Sequence, residues 1–96
     1  MIKIYENELP MPVRNDGKRS VAEYTTNDWA HKVKEELIEA CTAGSPEEQA
    51  LEIADIITTC TSWLESIDTD FEKRKLIFRQ TNRKNQGRGY LDYMER

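Results

Sequence analysis

Two pairs of acidic side chains share one spacing in the middle of this 96-residue sequence. The first pair is Glu36 and Glu39, the second is Glu52 and Asp55, and the members of each pair are three residues apart. On an α-helix, positions i and i+3 lie on neighbouring parts of one face. Each pair can therefore offer carboxylate oxygens to one ligand, and Mg²⁺ or Mn²⁺ suits such an all-oxygen set.

Both pairs stand at the border of an apolar stripe. On a helical wheel with about 100° per residue, Glu36 borders a stripe that includes Trp29, and Glu52 borders one that includes Ile56 and Trp63. If the stripes pack in an antiparallel hairpin, the four carboxylates meet along one side of the seam. Their mutual repulsion in a poorly solvated site would require a divalent cation. Two matched pairs on consecutive helices favour a metal site over a solvated acidic face.

The charges are divided unevenly along the chain. Residues 35–70 hold ten acidic and no basic side chains, whereas residues 71–96 hold eight basic and three acidic ones. We expect residues 71–96 to contact the phosphate groups of a substrate that is held near the acidic pairs. Nucleic-acid binding is disfavoured, because the net charge of the chain is -4.

Helix start and stop signals divide the chain into an irregular arm, residues 1–26, and an all-α domain, residues 27–96, with a basic C-terminal tail. The arm carries prolines and an Asn-Asp-Gly turn signal, and residues 2–5 have the pattern of one short strand. Capping signals predict three helices. The first is expected from Thr26 or Asn27 to about Ala43. The second is expected from Pro46, with Ser45 as its cap, to about Ser66. The third is expected to be capped by Asp68 or Thr69 and to end at about Arg83 or Gln86.

The predicted fold class is all-α, with a helical hairpin plus a third helix forming a four-helix-bundle-type core across an oligomer. Hydrophobic residues make up 38% of the chain and charged residues 33%, so three helices of one chain enclose a thin core. A second chain would supply the missing apolar cover. We therefore expect a homo-oligomer, a dimer or a tetramer.

Membrane and secreted classes are disfavoured by the pattern of apolar residues. No run approaches the roughly 18 apolar residues that a membrane span needs, and the N-terminus lacks a basic and an apolar region of the secretory kind. Cys41 and Cys60 are too few for a disulfide framework and are expected as reduced core residues. The expectation is a soluble, cytoplasmic protein.

The acidic pattern and its surroundings resemble the MazG-like nucleotide pyrophosphohydrolases of the all-α nucleoside triphosphate pyrophosphatase superfamily. Lys32 lies four positions before Glu36, and twelve residues separate Glu39 from Glu52. Residues 84–88 read Lys-Asn-Gln-Gly-Arg, which fits the Lys-Asn-x-x-Arg that the family shows after its last core helix. The resemblance covers residues 28 to about 91, and the arm matches no part of the family.

The resemblance implies hydrolysis of a nucleoside triphosphate to the monophosphate and pyrophosphate, for clearing or controlling nucleotide pools. It implies catalytic Mg²⁺ ligands, with Mn²⁺ as the alternative metal, at Glu36, Glu39, Glu52 and Asp55. It implies phosphate contacts from Lys32, Lys84 and Arg88, with Asn85 beside them. Trp29, near the same edge of the first helix as Glu36, is the aromatic candidate for stacking on a nucleobase.

Two other functions stay open at the level of the sequence. One is a phosphoribosyl-ATP pyrophosphohydrolase, which shares the fold and related acids. The other is a non-catalytic helical interaction module whose acids form a solvated face.

Overall fold

The computed structural model describes residues 10–90, which contain three α-helices and no β-strand. In chain order they are a 3-10 turn at Val21–Glu23, α1 at Thr26–Cys41, α2 at Pro46–Ile67 and α3 at Phe71–Gly87. The predicted all-α class is thereby confirmed for this range, and the strand suggested at residues 2–5 lies outside it. None of the helices has the length and apolar content needed to span a membrane.

The helix starts follow local capping chemistry. At α1, the Thr25 hydroxyl accepts from the backbone N–H of Asp28, and the Asp28 carboxylate accepts from the backbone N–H of Thr25, which completes a capping box. The predicted start of α2 is confirmed, with Ser45 as N-cap and Pro46 in the first turn. The predicted cap of α3 is wrong by one or two residues, because Asp70 is its N-cap.

The helix ends lie close to their expected positions. α1 ends at Cys41, two residues before the predicted limit, where the hydroxyl of Thr42 donates to the carbonyl of Ile38. α2 ends one residue later than expected. α3 continues to Gly87, and Gly89 then takes the left-handed conformation at φ 76°.

Helices α1 and α2 form an antiparallel hairpin. Near the connection, the side-chain amide of Gln49 donates to the carbonyl of Ala40 at 3.2 Å. At the opposite end, Trp29 near the start of α1 and Ser62 near the end of α2 line one cavity. The contact between α3 and α2 is far smaller than the contact between α1 and α2. The hairpin is therefore the unit that positions the acidic side chains.

The seam of this hairpin is more polar than the wheel predicts. Within residues 10–90 the buried apolar side chains are Trp29 and Ala40, and beside them Glu36, Thr59 and Ser62 are also buried. The two helices thus meet along the borders of their apolar stripes. This position carries the acidic edge of α1 into the interface, where solvation is reduced.

Several apolar side chains of the three helices are uncovered in the single chain. Leu37, at the centre of the α1 stripe, is 51% exposed, and Cys41 is exposed, which corrects its expected core position. Other large apolar side chains of the three helices that are at least 42% exposed are Ile38, Leu51, Ile53, Ile67, Phe71, Leu76, Ile77 and Phe78. These apolar side chains therefore lack cover within the part of the chain that the structure describes.

The described part of the arm, residues 10–25, is fixed to the end of α2. The backbone N–H of Val13 donates to the hydroxyl of Ser62 at 2.8 Å, and that hydroxyl donates in turn to the carbonyl of Thr58. Arg14 forms an ion pair with Glu65 one turn further along α2. A buried polar side chain of the helix thus holds an irregular segment in place.

A turn in the arm is organised by Asp16. Its carboxylate accepts from the hydroxyl of Tyr24 at 2.7 Å and from the backbone N–H of Arg19 at 2.9 Å, and these bonds hold its pKa well below the usual range. The same hydroxyl bond raises the pKa of Tyr24 to about 12. Gly17 follows with φ 89°, a conformation that favours glycine. Arg19 also pairs with Asp28 at 2.9 Å, which ties the turn to α1.

Candidate metal centre and the arm cavity

Three of the four predicted acidic ligands lie together where α1 passes α2. One carboxylate oxygen each from Glu36, Glu39 and Glu52 lies within 4.8 Å of the other two. Glu36 is buried, Glu39 is exposed and Glu52 is half-buried, so the group is open on one side and closed on the other. We call these three residues the acidic cluster. The hairpin brings them together, because the i and i+3 acids of α1 face the i acid of α2.

The pKa of the Glu36 carboxyl is raised by its surroundings in the acidic cluster. Burial raises the pKa of its carboxyl, and the neighbouring charge of Glu39 raises it further. Lys32 opposes both effects, since its Nζ lies 3.4 Å from Oε1 of Glu36. Asp55 adds a smaller repulsion of its own. The local carboxylates therefore outnumber the one lysine that is paired with them, which is the condition that a divalent cation relieves.

Glu52 supplies a second, independent reason to place a cation here. Its Oε2 atom is buried and has no hydrogen-bond partner among the described residues. Buried polar atoms in native proteins nearly always have a partner, and leaving one without costs about 1–3 kcal/mol. A carboxylate oxygen in this state beside two other carboxylates has the chemistry of a ligand for a hard cation such as Mg²⁺.

Asp55, the fourth predicted ligand, lies outside the acidic cluster. Its side chain is exposed, three residues beyond Glu52 on α2. It nevertheless lines the same cavity as Glu36. The structure thus places Asp55 at the edge of the predicted site, next to the most buried of the three clustered acids.

The cavity beside the acidic cluster has a volume of about 200 Å³ and lies between the arm and the hairpin. We call it the arm cavity. Lys32, Glu36 and Asp55 form its charged side. Its remaining lining comes from Val13, Asn15, Asp16, Val21, Tyr24, Trp29, Thr58 and Thr59.

Trp29 lies in the wall of the arm cavity and is only 3% exposed. Its ring meets that of Tyr24 edge to face, with centroids 4.7 Å apart and an angle of 66° between the planes. Burial leaves little of the Trp29 ring face for the stacking role suggested by the sequence. Its indole Nε1, however, is buried without a hydrogen-bond partner in the described chain.

The three C-terminal residues expected to contact phosphate lie away from this cavity's lining. Lys84 and Asn85 occupy the last turn of α3, and Arg88 is its C-cap. Lys84 and Arg88 are exposed, Asn85 is half-buried, and none of the three lines the arm cavity. Of the predicted basic residues, the structure brings only Lys32 to the acidic cluster. The role assigned to the other residues by the family resemblance stays a prediction.

The sequence left open whether the arm lines a nucleobase pocket, joins subunits or does neither. The Asn-Asp-Gly signal predicts a turn, and Gly17 at φ 89° lies in it, but a turn signal does not say what the turn packs against. The missing information is a contact across 49 residues, between Val13 and Ser62. Ser62 belongs to a group of four hydroxyl residues on α2, which are Thr58, Thr59, Thr61 and Ser62.

Comparisons with known protein families, with curated proteins and with solved structures find no match for this chain.

Proposed function

We propose that this protein is a metal-dependent nucleoside triphosphate pyrophosphohydrolase, which converts a (deoxy)nucleoside triphosphate to its monophosphate and pyrophosphate. The observation that carries the proposal is the acidic cluster, three carboxylates within 4.8 Å of one another, one of them with a buried, unpartnered oxygen. The resemblance of residues 28–91 to the MazG-like enzymes supports the same reaction.

The acidic cluster fits a hard divalent cation. Glu36, Glu39 and Glu52 would hold Mg²⁺ or Mn²⁺, and Asp55 supplies the fourth carboxylate of the set from the rim of the arm cavity. When bound, such an ion neutralises phosphate charge and lowers the pKa of coordinated water. The buried side of the cluster excludes water from Glu36 and so strengthens its electrostatic interactions.

Lys32 is the cation that this chain supplies at the same place. Its Nζ is close enough to Glu36 to orient that carboxylate, and its side chain also lines the arm cavity, where it can contact a phosphate oxygen. In the reaction, the oxygen of water forms a bond to the α-phosphorus and the bond from that phosphorus to the bridging oxygen breaks. Pyrophosphate leaves, and one proton is released from the water. Positioning and charge neutralisation supply most of the catalysis in such a transfer.

The proposal includes a homo-oligomer, a dimer or a tetramer, in the cytoplasm. The exposed apolar side chains of all three helices support it, because an isolated chain would leave them in water. Lys84 and Arg88, at the basic end of α3, are included in the proposal as phosphate-binding residues on the basis of the family resemblance.

A nucleotide panel with both products quantified tests the proposal. We expect monophosphate and pyrophosphate in equal amounts from at least one triphosphate, with activity lost in excess EDTA and restored by Mg²⁺. The panel should include phosphoribosyl-ATP. If the protein hydrolysed this compound in preference to the other nucleotides, it would be a phosphoribosyl-ATP pyrophosphohydrolase of histidine synthesis. Release of orthophosphate alone, or equal turnover in EDTA, would contradict the proposal.

A further inference from the structure

We propose that residues 13–24 of the arm form a strap that opens as one unit from the folded hairpin and thereby widens the approach to Lys32 and Glu36. The ligand that uses this approach, a nucleoside triphosphate, is taken from the proposed function, and that part of the inference rests on it. The strap itself is inferred from the way its contacts are divided between its own residues and the hairpin.

The strap is held together by its own hydrogen bonds. Asn15 and Ser20 form an antiparallel bridge, and the backbone N–H of Val21 donates to the carbonyl of Arg14 at 3.0 Å. Between them, the carboxylate of Asp16 accepts from two backbone N–H groups and one hydroxyl of the same segment. None of these bonds involves the hairpin, so all of them persist when the strap moves away from it.

Burial contributes little to the attachment of the strap. None of residues 13–24 is buried, although the strap covers Ser62 and Trp29, which are. Its hydrogen bond to α2 runs from the backbone N–H of Val13 to the hydroxyl of Ser62 at 2.8 Å. A segment with few buried apolar contacts belongs to the part of a structure that opens locally at low cost. The strap can therefore open while the hairpin stays folded.

Two ion pairs complete the attachment. Arg14 pairs with Glu65 on α2, and Arg19 pairs with Asp28 on α1 at 2.9 Å. Both arginines are exposed, so dissolved salt screens both pairs. The closed position of the strap is thus sensitive to ionic strength.

The closed strap limits the space beside the acidic cluster. The arm cavity beneath it has a volume of about 200 Å³, whereas small-molecule sites usually measure roughly 300–1,000 Å³. A second cavity adjoins the first, and Val13, Val21 and Tyr24 of the strap line both. Opening the strap therefore joins the two cavities and uncovers the side on which Lys32 and Glu36 lie. We infer that a nucleoside triphosphate binds from this side to the open form.

Hydrogen exchange of the ligand-free chain tests the strap through two amides. The amide of Val13 is bonded to the hairpin, and that of Val21 is bonded within the strap. Raising sodium chloride from about 10 mM to about 1 M shortens the Debye length from about 30 Å to about 3 Å. We expect exchange at Val13 to accelerate at least about twofold and exchange at Val21 to stay unchanged. Equal acceleration at both amides, or none at Val13, would overturn the inference.

Removing the two ion pairs should have the same effect as salt. The double variant Arg14→Gln with Arg19→Gln should exchange at Val13 at low salt as fast as the wild type does at high salt, and the salt dependence should disappear. Lys18→Gln is the matched control, because it removes a charge from the same turn but from neither ion pair. It should keep the wild-type salt dependence. Wild-type exchange in the double variant would speak against the strap.

Ser62→Ala connects the strap to ligand binding without changing any charge. It removes the acceptor of the Val13 amide and so raises the fraction of open strap. When only the open form binds a ligand, a larger open fraction raises the apparent affinity in proportion. Ser66→Ala removes only a local hydroxyl bond to the carbonyl of Trp63 and serves as the control.

The probe for this step is the α,β-imido analogue of dUTP, titrated calorimetrically in the presence of Mg²⁺. We expect the Kd of Ser62→Ala to be at least about twofold lower than that of the wild type, in line with a loss of one hydrogen bond from the closed form. Ser66→Ala should keep the wild-type Kd. An unchanged Kd in Ser62→Ala, a higher one, as a strap that closes on its ligand would give, or no binding at all would overturn the role of the strap in access.

The two proposals fail in different ways. Pyrophosphate release by a chain whose Val13 exchange responds neither to salt nor to the arginine variants would leave the reaction standing and remove the strap. Exchange and binding as expected, with no pyrophosphate release from any nucleotide, would remove the reaction and leave the strap over a nucleotide-binding site.

Discussion

Nζ of Lys32 lies 3.4 Å from Oε1 of Glu36, one turn away on the same helix and at the mouth of the arm cavity. The pair is partly shielded, since the side chain of Glu36 is 12% exposed and that of Lys32 is 37% exposed. Lys32 lowers the pKa of Glu36 against the effects of burial and of Glu39. One lysine therefore partly offsets the burial and the Glu39 charge that raise the pKa of the most buried acid of the cluster.

Replacing this lysine should affect activity more than folding. Lys32→Gln removes the positive charge beside Glu36 and one charged contact to phosphate. We expect kcat/KM to fall about ten- to a hundredfold, the effect of losing roughly 1.5–3 kcal/mol of charged hydrogen bonding. Lys34→Gln, at an exposed position of the same helix, is the matched control and should keep wild-type kinetics. Equal kinetics for the two variants would remove Lys32 from the site.

The hydroxyl of Ser62 should prove more important for stability than its neighbours on α2. Ser62→Ala leaves the backbone N–H of Val13 without its acceptor and releases the arm, so we expect a loss of about 1–3 kcal/mol in the free energy of unfolding. Hydrogen exchange at the Val13 amide should accelerate in parallel. Ser66→Ala removes only a local hydroxyl bond to Trp63 and should change the stability much less. Similar behaviour of both variants would contradict this anchoring role.

The Tyr24–Asp16 bond should appear in the alkaline pH dependence of stability. Tyr24 has a pKa of about 12 in the folded chain against an ordinary value near 10. The folded state favours the protonated phenol. The contribution of the Tyr24–Asp16 bond to the free energy of unfolding is therefore complete below pH 10 and is lost as the pH rises toward 12. The absorbance difference between wild type and Tyr24→Phe isolates this phenol from the other tyrosines. A midpoint near 10 in that difference would contradict the bond.

The exposed apolar helix surface predicts association of chains. Light scattering at micromolar concentration should give two or four times the chain mass of 11.2 kDa. Phe78→Asp places a charge among the exposed apolar side chains of α3 and should shift the mass toward the monomer. Gln80→Asp, which is polar and exposed, serves as control and should not. A wild type that is folded and monomeric at that concentration would exclude the proposed assembly.

The fold was largely predictable because its determinants are local. Ser45 and Pro46 mark the start of α2 through their own backbone and side-chain chemistry, and that start is confirmed. Competing caps are harder to rank: the stretch before α3 offers Asp68, Thr69 and Asp70, and a single sequence does not show which of them the helix uses.

The site was predictable only where its spacing is helical. Glu36 and Glu39 are brought to Glu52 by helical periodicity and one short connection, both visible in the sequence. Asp55 lies outside the cluster although it has the same i+3 offset on α2 that Glu39 has on α1, so the helical spacing alone does not decide which of the acids meet. The packing of the arm had no comparable signal, because it depends on a contact between Val13 and Ser62, which are far apart in the sequence.

Glu52→Gln offers the most direct test of the metal-dependent reaction, through pyrophosphate release with Mg²⁺ and the free energy of unfolding in EDTA. Neutralising this carboxylate should lower kcat at least about a hundredfold, because a metal ligand is lost. The same change should leave the metal-free chain equally stable or more stable, because a like-charge contact is relieved. The control is Glu47→Gln, which changes an exposed acid in the first turn of α2. It should leave kcat unchanged and should alter the free energy of unfolding by no more than a few tenths of a kcal/mol. Wild-type kcat in a folded Glu52→Gln variant would contradict the proposed metal centre.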